Sequence, residues 1–271
     1  MRIYHSGDNW NPGEFPAILA IGDSWFWYPK NNILQAVIEH PALKDPYRTI
    51  QMLGYNGAEI KQYVGAGRYA ADFRRELLPD ACQYYQAVLI SGGGNDAVDY
   101  KLALQADCTG LTAAEECIDP DGLDGLVRDI SGSLGLMIHD IAWAFDKLTK
   151  PRMADVFIHG YDYPVPDGRG FALAGPWLKP ALDAARVAAD DMPLRTAVCR
   201  RLIDELNTTF ARFDSPSQGI HYIDSRGVLR QDANYMEDWD NELHPTFSGF
   251  RQIVDRGWIP ILRREGYAKD G

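Results

Sequence analysis

Short apolar runs alternate with helical patterns along this chain, and that alternation limits the folds open to it. The strand-like runs are residues 17–22, 48–54, 86–91, 154–159 and 219–223. Between the first three runs, residues 31–40 and 58–78 have helical patterns. Strands separated by helices form βαβ units and a parallel sheet. We therefore predict an α/β protein with a five-stranded parallel sheet.

The length and net charge of the chain indicate how many domains it forms and which classes of binding partner are excluded. The chain has 271 residues, no long Pro/Gly linker and no repeat, which predicts one domain over 1–271. Its net charge of −11 argues against a nucleic acid partner, because such partners require clustered Lys and Arg. The sequence contains no run of 18 or more apolar residues, so we predict no membrane span.

Two segments have the character of loop insertions, at about 98–122 and 161–180. The first ends in an acidic stretch, and the second is rich in Gly, Pro and aromatic residues. Each follows the carboxyl end of a predicted strand, the edge at which open α/β sheets bind ligands. Both segments are therefore candidate walls of a binding site.

Cysteine and histidine spacing gives no metal-binding pattern. The four cysteines, Cys82, Cys108, Cys117 and Cys199, form no C-x-x-C pair, and the six histidines show no ligand spacing. We expect no metal and four reduced thiols, although Cys108 and Cys117 are close enough to bridge a loop. The first fifteen residues lack a signal-peptide core, which favours a cytoplasmic protein, or a secreted one whose signal peptide has been removed.

Two motif-like stretches lack the context that their functions need. Ser133 lies in a near match to the G-x-S-x-G elbow, but apolar residues recur at helical spacing straight through it. The stretch Gly65-Ala66-Gly67 imitates a dinucleotide-binding loop, but no buried strand precedes it. We expect neither stretch to be functional.

Small and polar residues follow the first three predicted strands. The first strand ends at Gly22-Asp23-Ser24, the second is followed by Asn56-Gly57, and the third by a glycine-rich turn containing Asn95. A serine at a strand tip can be a nucleophile if a base is near. The backbone N–H groups of Ser24 and Gly57 and the side chain of Asn95 are suitable donors for an oxyanion.

The candidate base lies near the C-terminus. His244 precedes a proline, which disfavours helix, so we expect it on a loop that enters the last helix. Asp240, Asn241 and Glu242 lie just upstream, and a carboxylate beside a histidine has the parts of a general base and its orienting group.

In this order, the GDS sequence at 22–24, the Asn-Gly turn at 56–57, GGND at 93–96 and the His-Pro pair at 244–245 resemble the four sequence blocks of the GDSL-type, or SGNH, hydrolases. The resemblance covers about residues 17–262. It implies a flavodoxin-like α/β/α sandwich and activity as an esterase, lipase, thioesterase or related hydrolase without a cofactor. It also implies Ser24 as the nucleophile, His244 as the base, and Ser24, Gly57 and Asn95 as the oxyanion hole.

The chain departs from the family pattern at two positions. Trp25 stands where the family name has Leu, which alters the edge of the pocket. Asn241 stands three residues before the histidine, where the family usually has its acid. We expect Asp240 to orient His244, with Asn241, a Ser–His dyad or Glu242 as the alternatives.

Aromatic residues next to these blocks suggest the kind of substrate. Trp25 and Trp27 follow the candidate nucleophile, and Tyr161 and Tyr163 lie in the second insertion. An aromatic pocket favours a small-molecule aryl or acyl-chain ester. The sequence thus predicts a serine esterase, with a carbohydrate O-deacetylase and a non-catalytic binding module as alternatives, and leaves the oligomeric state open.

Overall fold

The apolar runs of the sequence form the parallel strands of a single sheet. The computed structural model describes residues 1–28, 30–96, 101–171 and 175–270. The strands are β1 (Arg2–His5), β2 (Ile18–Gly22), β3 (Thr49–Gly54), β4 (Ala87–Ser91), β5 (Asp155–His159) and β6 (Ile220–Ile223). Their spatial order is β1-β3-β2-β4-β5-β6, and every pairing is parallel. The predicted α/β fold class is therefore confirmed.

The number of strands differs from the prediction, because the sheet has six strands and not five. The additional strand β1 pairs with β3 at the edge of the sheet. It has only four residues, of which Tyr4 alone is buried, so it carries no apolar run that would identify it. Without β1, the order of the other five is the 2-1-3-4-5 order of flavodoxin-like sheets.

Helices cover both faces of the sheet. They are α1 (Ser24–Trp27), α2 (Ile33–Glu39), α3 (Ala70–Glu76), α4 (Pro79–Cys82), α5 (Pro120–Asp146), α6 (Leu178–Ala184), α7 (Met192–Ala211), α8 (Phe247–Ile253) and α9 (Ile259–Arg264). Successive side chains of a strand point to opposite faces. On β5, His159 packs near Trp258 just before α9, whereas Val156 lies beside Ile138 and Ile141 of α5. The sheet is thus the middle of three layers.

The segment 58–78 is not the continuous helix that its pattern predicts. A short 3₁₀ turn at Ile60–Gln62 is followed by a break, and α3 begins only at Ala70. Within this break, Gly65 has a φ of +59°, a left-handed conformation that does not continue a helix. A side chain at Gly67 would collide with the backbone of Gln62, so the chain turns tightly there.

The two segments predicted to be insertions lie beside the sheet in different ways. Described residues of the first include an antiparallel bridge between Leu104 and Ile118 and a 3₁₀ turn at Ala114–Cys117. The second begins with the buried residues Tyr161 and Asp162 directly after β5 and leads into α6. All four cysteines are buried free thiols. None of the described helices combines the length and apolarity needed to cross a bilayer.

The direction in which successive strands are added to the sheet reverses at β2. From β2 the chain moves outward to β3, then crosses back to β4 on the other side of β2. In open α/β sheets a crevice forms at the carboxyl ends of the strands at such a switch point. Ser24 follows β2 at this position.

Candidate active site

Ser24 is held at the end of the central strand by the residue before it. Asp23 caps the short helix α1, with Oδ1 accepting the N–H of Trp25 at 3.0 Å. The same carboxylate accepts the hydroxyl of Ser91 at 2.7 Å and that of Tyr161 at 2.5 Å. Asp23 is 2% exposed, and these bonds satisfy it while they fix the start of α1 between β4 and the loop after β5.

Ser24, His244 and Asn241 form a connected row. Nε2 of His244 lies 2.7 Å from Oγ of Ser24, and Nδ1 lies 3.0 Å from Oδ1 of Asn241. This oxygen also accepts the backbone N–H groups of Leu243 and His244, each at 3.0 Å. An amide oxygen only accepts, so Nδ1 carries the proton and the lone pair of Nε2 faces the serine.

Asn241, and not the expected Asp240, is the residue that directly contacts Nδ1 of the imidazole in this structure. The backbone N–H of Asp240 donates to the carbonyl of His244 at 2.9 Å, closing a turn that places the Asn241 amide oxygen at Nδ1. The Asp240 side chain leaves this turn in another direction. Its carboxylate accepts the hydroxyl of Tyr28 at 2.9 Å and pairs with Lys30.

Glu242, the third candidate for this role, is also turned away from the imidazole. It is fully buried and accepts the backbone N–H groups of Gly168, Trp177, Leu178 and Lys179 at 2.7–3.1 Å. These bonds tie the predicted insertion at 161–180 to the histidine loop. Glu242 is therefore a structural anchor.

Two aromatic rings enclose the imidazole. The ring of Tyr28 stacks on His244 with centroids 4.1 Å apart and planes at 5°, and Trp177 lies edge-on at 6.0 Å. His244 is 4% exposed. Burial lowers the pKa of His244 to about 4, although the nearby charge of Asp240 raises it in part. The imidazole is therefore neutral near pH 7, as a general base must be.

The predicted oxyanion-hole residues lie on three adjacent turns, after β2, β3 and β4. Asn95 lines the same cavity as Ser24, and its Nδ2 donates to the carbonyl of Ala58 at 3.1 Å. This bond joins the turn after β4 to the turn that contains Gly57. Gly57 is exposed, has a φ of +73°, and lies outside the residues that line the cavity. An asparagine amide retains a second N–H for a ligand.

A small cavity lies beside Ser24. Its lining residues are Asp23, Ser24, Trp25, Gly94, Asn95, Tyr161, Asp162, Pro164, Ile203, Trp239 and Leu243. Of the predicted pocket residues, Trp25 and Tyr161 line it. Trp27 and Tyr163 do not: Trp27 is 36% exposed on the outer surface, and Tyr163 donates to Asp204 at 2.7 Å.

Several residues at the site were not predicted to be there. Ile203 comes from α7, far away in sequence, and nothing in its own pattern distinguishes it from a core residue. Trp239 lies just before the histidine turn, and Tyr28 belongs to the aromatic run after Ser24. For Trp239 and Tyr28, the only signal in the sequence is that they lie close to the blocks that contain His244 and Ser24.

The arrangement supplies a nucleophile, a neutral base and amide donors. Within the described residues, no group of three or more His, Cys, Asp or Glu side chains is arranged to hold a metal ion. A hydroxyl at 2.7 Å from a neutral imidazole nitrogen can transfer its proton as it attacks an electrophilic carbon.

Comparison with known proteins finds similarity in structure but not in sequence. No family model and no curated protein matches this chain. A lipase from a goat rumen metagenome is similar in structure, with a TM-score of 0.53 and 14% identity over 92% of this chain and 97% of that one. This similarity indicates that the two chains share a fold.

Two further solved structures are less similar. An extracellular lipase from Streptomyces rimosus has a TM-score of 0.44 and 15% identity, covering 92% of this chain and 99% of that one. An inhibitor-bound aryl esterase from M. smegmatis has a TM-score of 0.42 and 12% identity, covering 88% and 94%. TM-scores this low do not establish a shared fold, and we draw no conclusion from these two structures.

Proposed function

We propose that this protein is a serine esterase that cleaves small carboxylic esters through an acyl-enzyme on Ser24. The observation that carries the proposal is the 2.7 Å hydrogen bond between Ser24 Oγ and His244 Nε2. It lies at the carboxyl edge of the central strand, beside a cavity lined by Asn95. The resemblance to SGNH hydrolases and the fold shared with a lipase support the same assignment.

In the proposed reaction, Ser24 Oγ attacks the ester carbonyl carbon while His244 Nε2 takes the hydroxyl proton. The tetrahedral oxyanion then accepts hydrogen bonds from the Asn95 amide and the N–H of Ser24, and the resemblance to SGNH hydrolases implies the N–H of Gly57, on the neighbouring turn, as a third donor. As the C–O bond breaks, the imidazolium returns the proton to the leaving alcohol. Water repeats the two steps and releases the carboxylic acid.

The cavity suits an uncharged acyl group. Six of its lining side chains are apolar or aromatic, namely Trp25, Tyr161, Pro164, Ile203, Trp239 and Leu243. No lysine or arginine is among its lining residues, whereas Asp23 and Asp162 are. An acidic acyl group would meet repulsion there without a compensating cation. We therefore propose neutral aryl or acyl esters as the substrates.

A p-nitrophenyl ester series tests the proposal. Ser24→Ala and His244→Ala should each reduce kcat on the order of 10³-fold or more. Ser133→Ala is the matched control, since Ser133 lies within helix α5, and it should retain wild-type activity. A fluorophosphonate should label Ser24 once per chain. A wild-type protein that neither hydrolyses any ester, including acetylated xylan, nor reacts with the phosphonate would favour a binding module instead.

A further inference from the structure

Asp240 is joined to the candidate base through two intervening side chains. Its Oδ2 accepts the Tyr28 hydroxyl at 2.9 Å, and the Tyr28 oxygen accepts Nδ2–H of Asn241 at 3.2 Å. Oδ1 of Asn241 then lies 3.0 Å from Nδ1 of His244. A carboxylate displaced by one position from the family's usual acid site thus remains in a continuous chain with the imidazole.

We propose that Asp240 is a positioning residue that acts on His244 through the Tyr28 hydroxyl and the Asn241 amide. This inference rests on the proposed esterase function. In it, three side chains together replace the single acid of a Ser–His–Asp triad. We call the Tyr28 hydroxyl and the Asn241 amide the Tyr28–Asn241 relay.

The direction of each hydrogen bond in the relay follows from the carboxylate at its end. An ionised carboxylate only accepts, so the single hydroxyl proton of Tyr28 points to Asp240. The Tyr28 oxygen then offers its lone pairs to the NH₂ group of Asn241. With NH₂ held there, the amide oxygen faces His244 and leaves the Nε2 lone pair for Ser24. If Asp240 were neutral, the Tyr28 hydroxyl would lose its strongest acceptor.

The surroundings keep Asp240 ionised. Burial raises the pKa of its carboxyl, but the hydrogen bonds from Lys30 and Tyr28 and the charge of Lys30 outweigh burial, so the pKa lies below its usual value. Burial also raises the pKa of Tyr28, and the Asp240 charge raises it further, so this hydroxyl keeps its proton. Both conditions that the relay requires are met.

Other charged groups around the imidazole point elsewhere. The Glu242 carboxylate is directed to backbone N–H groups of the 161–180 segment. The Arg169 guanidinium donates to the backbone carbonyls of Trp239 and Asp240 and pairs with Asp167. The negative charge that acts on His244 is that of Asp240, and it raises the pKa of the imidazole.

The first test is a pair of conservative substitutions. Asp240→Asn and Tyr28→Phe should each reduce kcat/KM on the order of tenfold, far less than removal of the base. Tyr28→Phe keeps the ring that stacks on His244, so its effect reports on the hydroxyl. The double variant should be no worse than either single variant, because both interrupt one chain. Fully additive losses would overturn the proposal.

Two further readouts separate the relay from a structural role of Asp240. The acid limb of the kcat/KM profile should move to lower pH in Asp240→Asn, since loss of the negative charge lowers the pKa of His244. The proton on Nδ1, followed by NMR in the resting enzyme, should shift in Asp240→Asn and in Tyr28→Phe. An unchanged Nδ1 resonance in both variants would overturn the proposal whatever the activity.

Lys30→Met and Tyr235→Phe are the controls. Lys30→Met breaks the ion pair but keeps a carboxylate that is ionised at neutral pH, so kcat/KM at pH 7 should not fall. A loss as large as that of Asp240→Asn would assign Asp240 to a structural ion pair. Tyr235 donates to Asp167 at 2.7 Å in a similar pair that has no bond to His244, so Tyr235→Phe should behave as wild type.

Failure of the relay is distinguishable from failure of the esterase assignment. If Ser24→Ala abolishes activity while Asp240→Asn leaves rate, pH profile and NMR unchanged, only the relay is wrong. If Ser24→Ala is fully active, the esterase assignment itself is wrong. In an Asn241→Asp background the imidazole gains a direct carboxylate, so Asp240→Asn should cost nothing there; an undiminished loss would contradict the relay.

Discussion

The side-chain oxygen of Asn241 lies 3.0 Å from Nδ1 of His244, so an uncharged amide directly holds the imidazole. An amide fixes the tautomer as well as a carboxylate does, because it accepts the Nδ1 proton. It lacks the negative charge that would stabilise imidazolium. The position of the neutral-to-charged transition of His244 therefore depends on burial and on the more distant Asp240.

The pH dependence of activity should reflect this arrangement. Burial lowers the pKa of His244 to about 4, and the base works only when neutral. We expect kcat/KM to rise as the pH increases through about 4 and to remain level to neutral pH. Assays on a p-nitrophenyl ester, with re-assay at neutral pH after each acid exposure to exclude unfolding, would check this. An acid limb at or above an ordinary imidazole pKa of about 6.5 would contradict it.

Glu242→Gln should destabilise the protein. The fully buried carboxylate accepts four backbone N–H groups, whereas glutamine has one acceptor oxygen and would turn an NH₂ group toward N–H donors. Each donor left without a partner costs about 1–3 kcal/mol. Urea denaturation should show a loss of several kcal/mol by this measure. Glu237→Gln in the same loop is the matched control: Glu237 pairs at the surface with Arg230, and its loss should change stability by less than about 0.5 kcal/mol.

Substitution of Ile203 should alter the acyl preference. Ile203 lines the cavity beside Ser24, so Ile203→Ala enlarges the space and Ile203→Phe reduces it. The ratio of kcat/KM for p-nitrophenyl butyrate to that for the acetate should rise in Ile203→Ala and fall in Ile203→Phe, each by about 10-fold. A ratio within one variant is independent of the folded fraction. Identical ratios in all three proteins would place the acyl group elsewhere.

Asp96 should make the stability depend on pH. Burial raises its pKa to about 6, although the N–H of Ile60 donates to it. Because its folded-state pKa is raised, Asp96 favours the folded state only while it is protonated. Its contribution to the free energy of unfolding is fully present below the unfolded-state pKa of about 3.9 and is lost as the pH rises through about 6. Asp96→Asn keeps an acceptor for the N–H of Ile60 and should remove this loss of stability, which is on the order of 3 kcal/mol.

Urea titrations of wild type and Asp96→Asn at a series of pH values measure this difference. The free energy of unfolding of the variant, relative to wild type, should increase between about pH 4 and pH 7. Asp45→Asn is a suitable control, because Asp45 is exposed, and it should follow the wild-type curve. Parallel curves for Asp96→Asn and wild type would show that Asp96 is not titrating in this range.

Much of the fold could be predicted because its signals are local. Apolar runs such as Ile18–Gly22 are buried on both faces in a parallel sheet, and such runs are visible in the sequence. The edge strand Arg2–His5 was missed because one buried side chain in four residues gives no such run. The prediction of a continuous helix at 58–78 was wrong because Gly65 and Gly67 impose a turn that an apolar pattern does not reveal.

The sequence by itself determined the α/β class, the parallel sheet and the positions of Ser24, Asn95 and His244 at strand ends and loops. Those features depend on hydrophobic period and on residues adjacent in sequence. Only the tertiary structure decided that Asn241 and not Asp240 contacts the imidazole, that Tyr28 stacks on it, and that Ile203 lines the cavity. Side-chain direction in a turn and contacts between distant elements follow from packing of the whole chain, which no local pattern records.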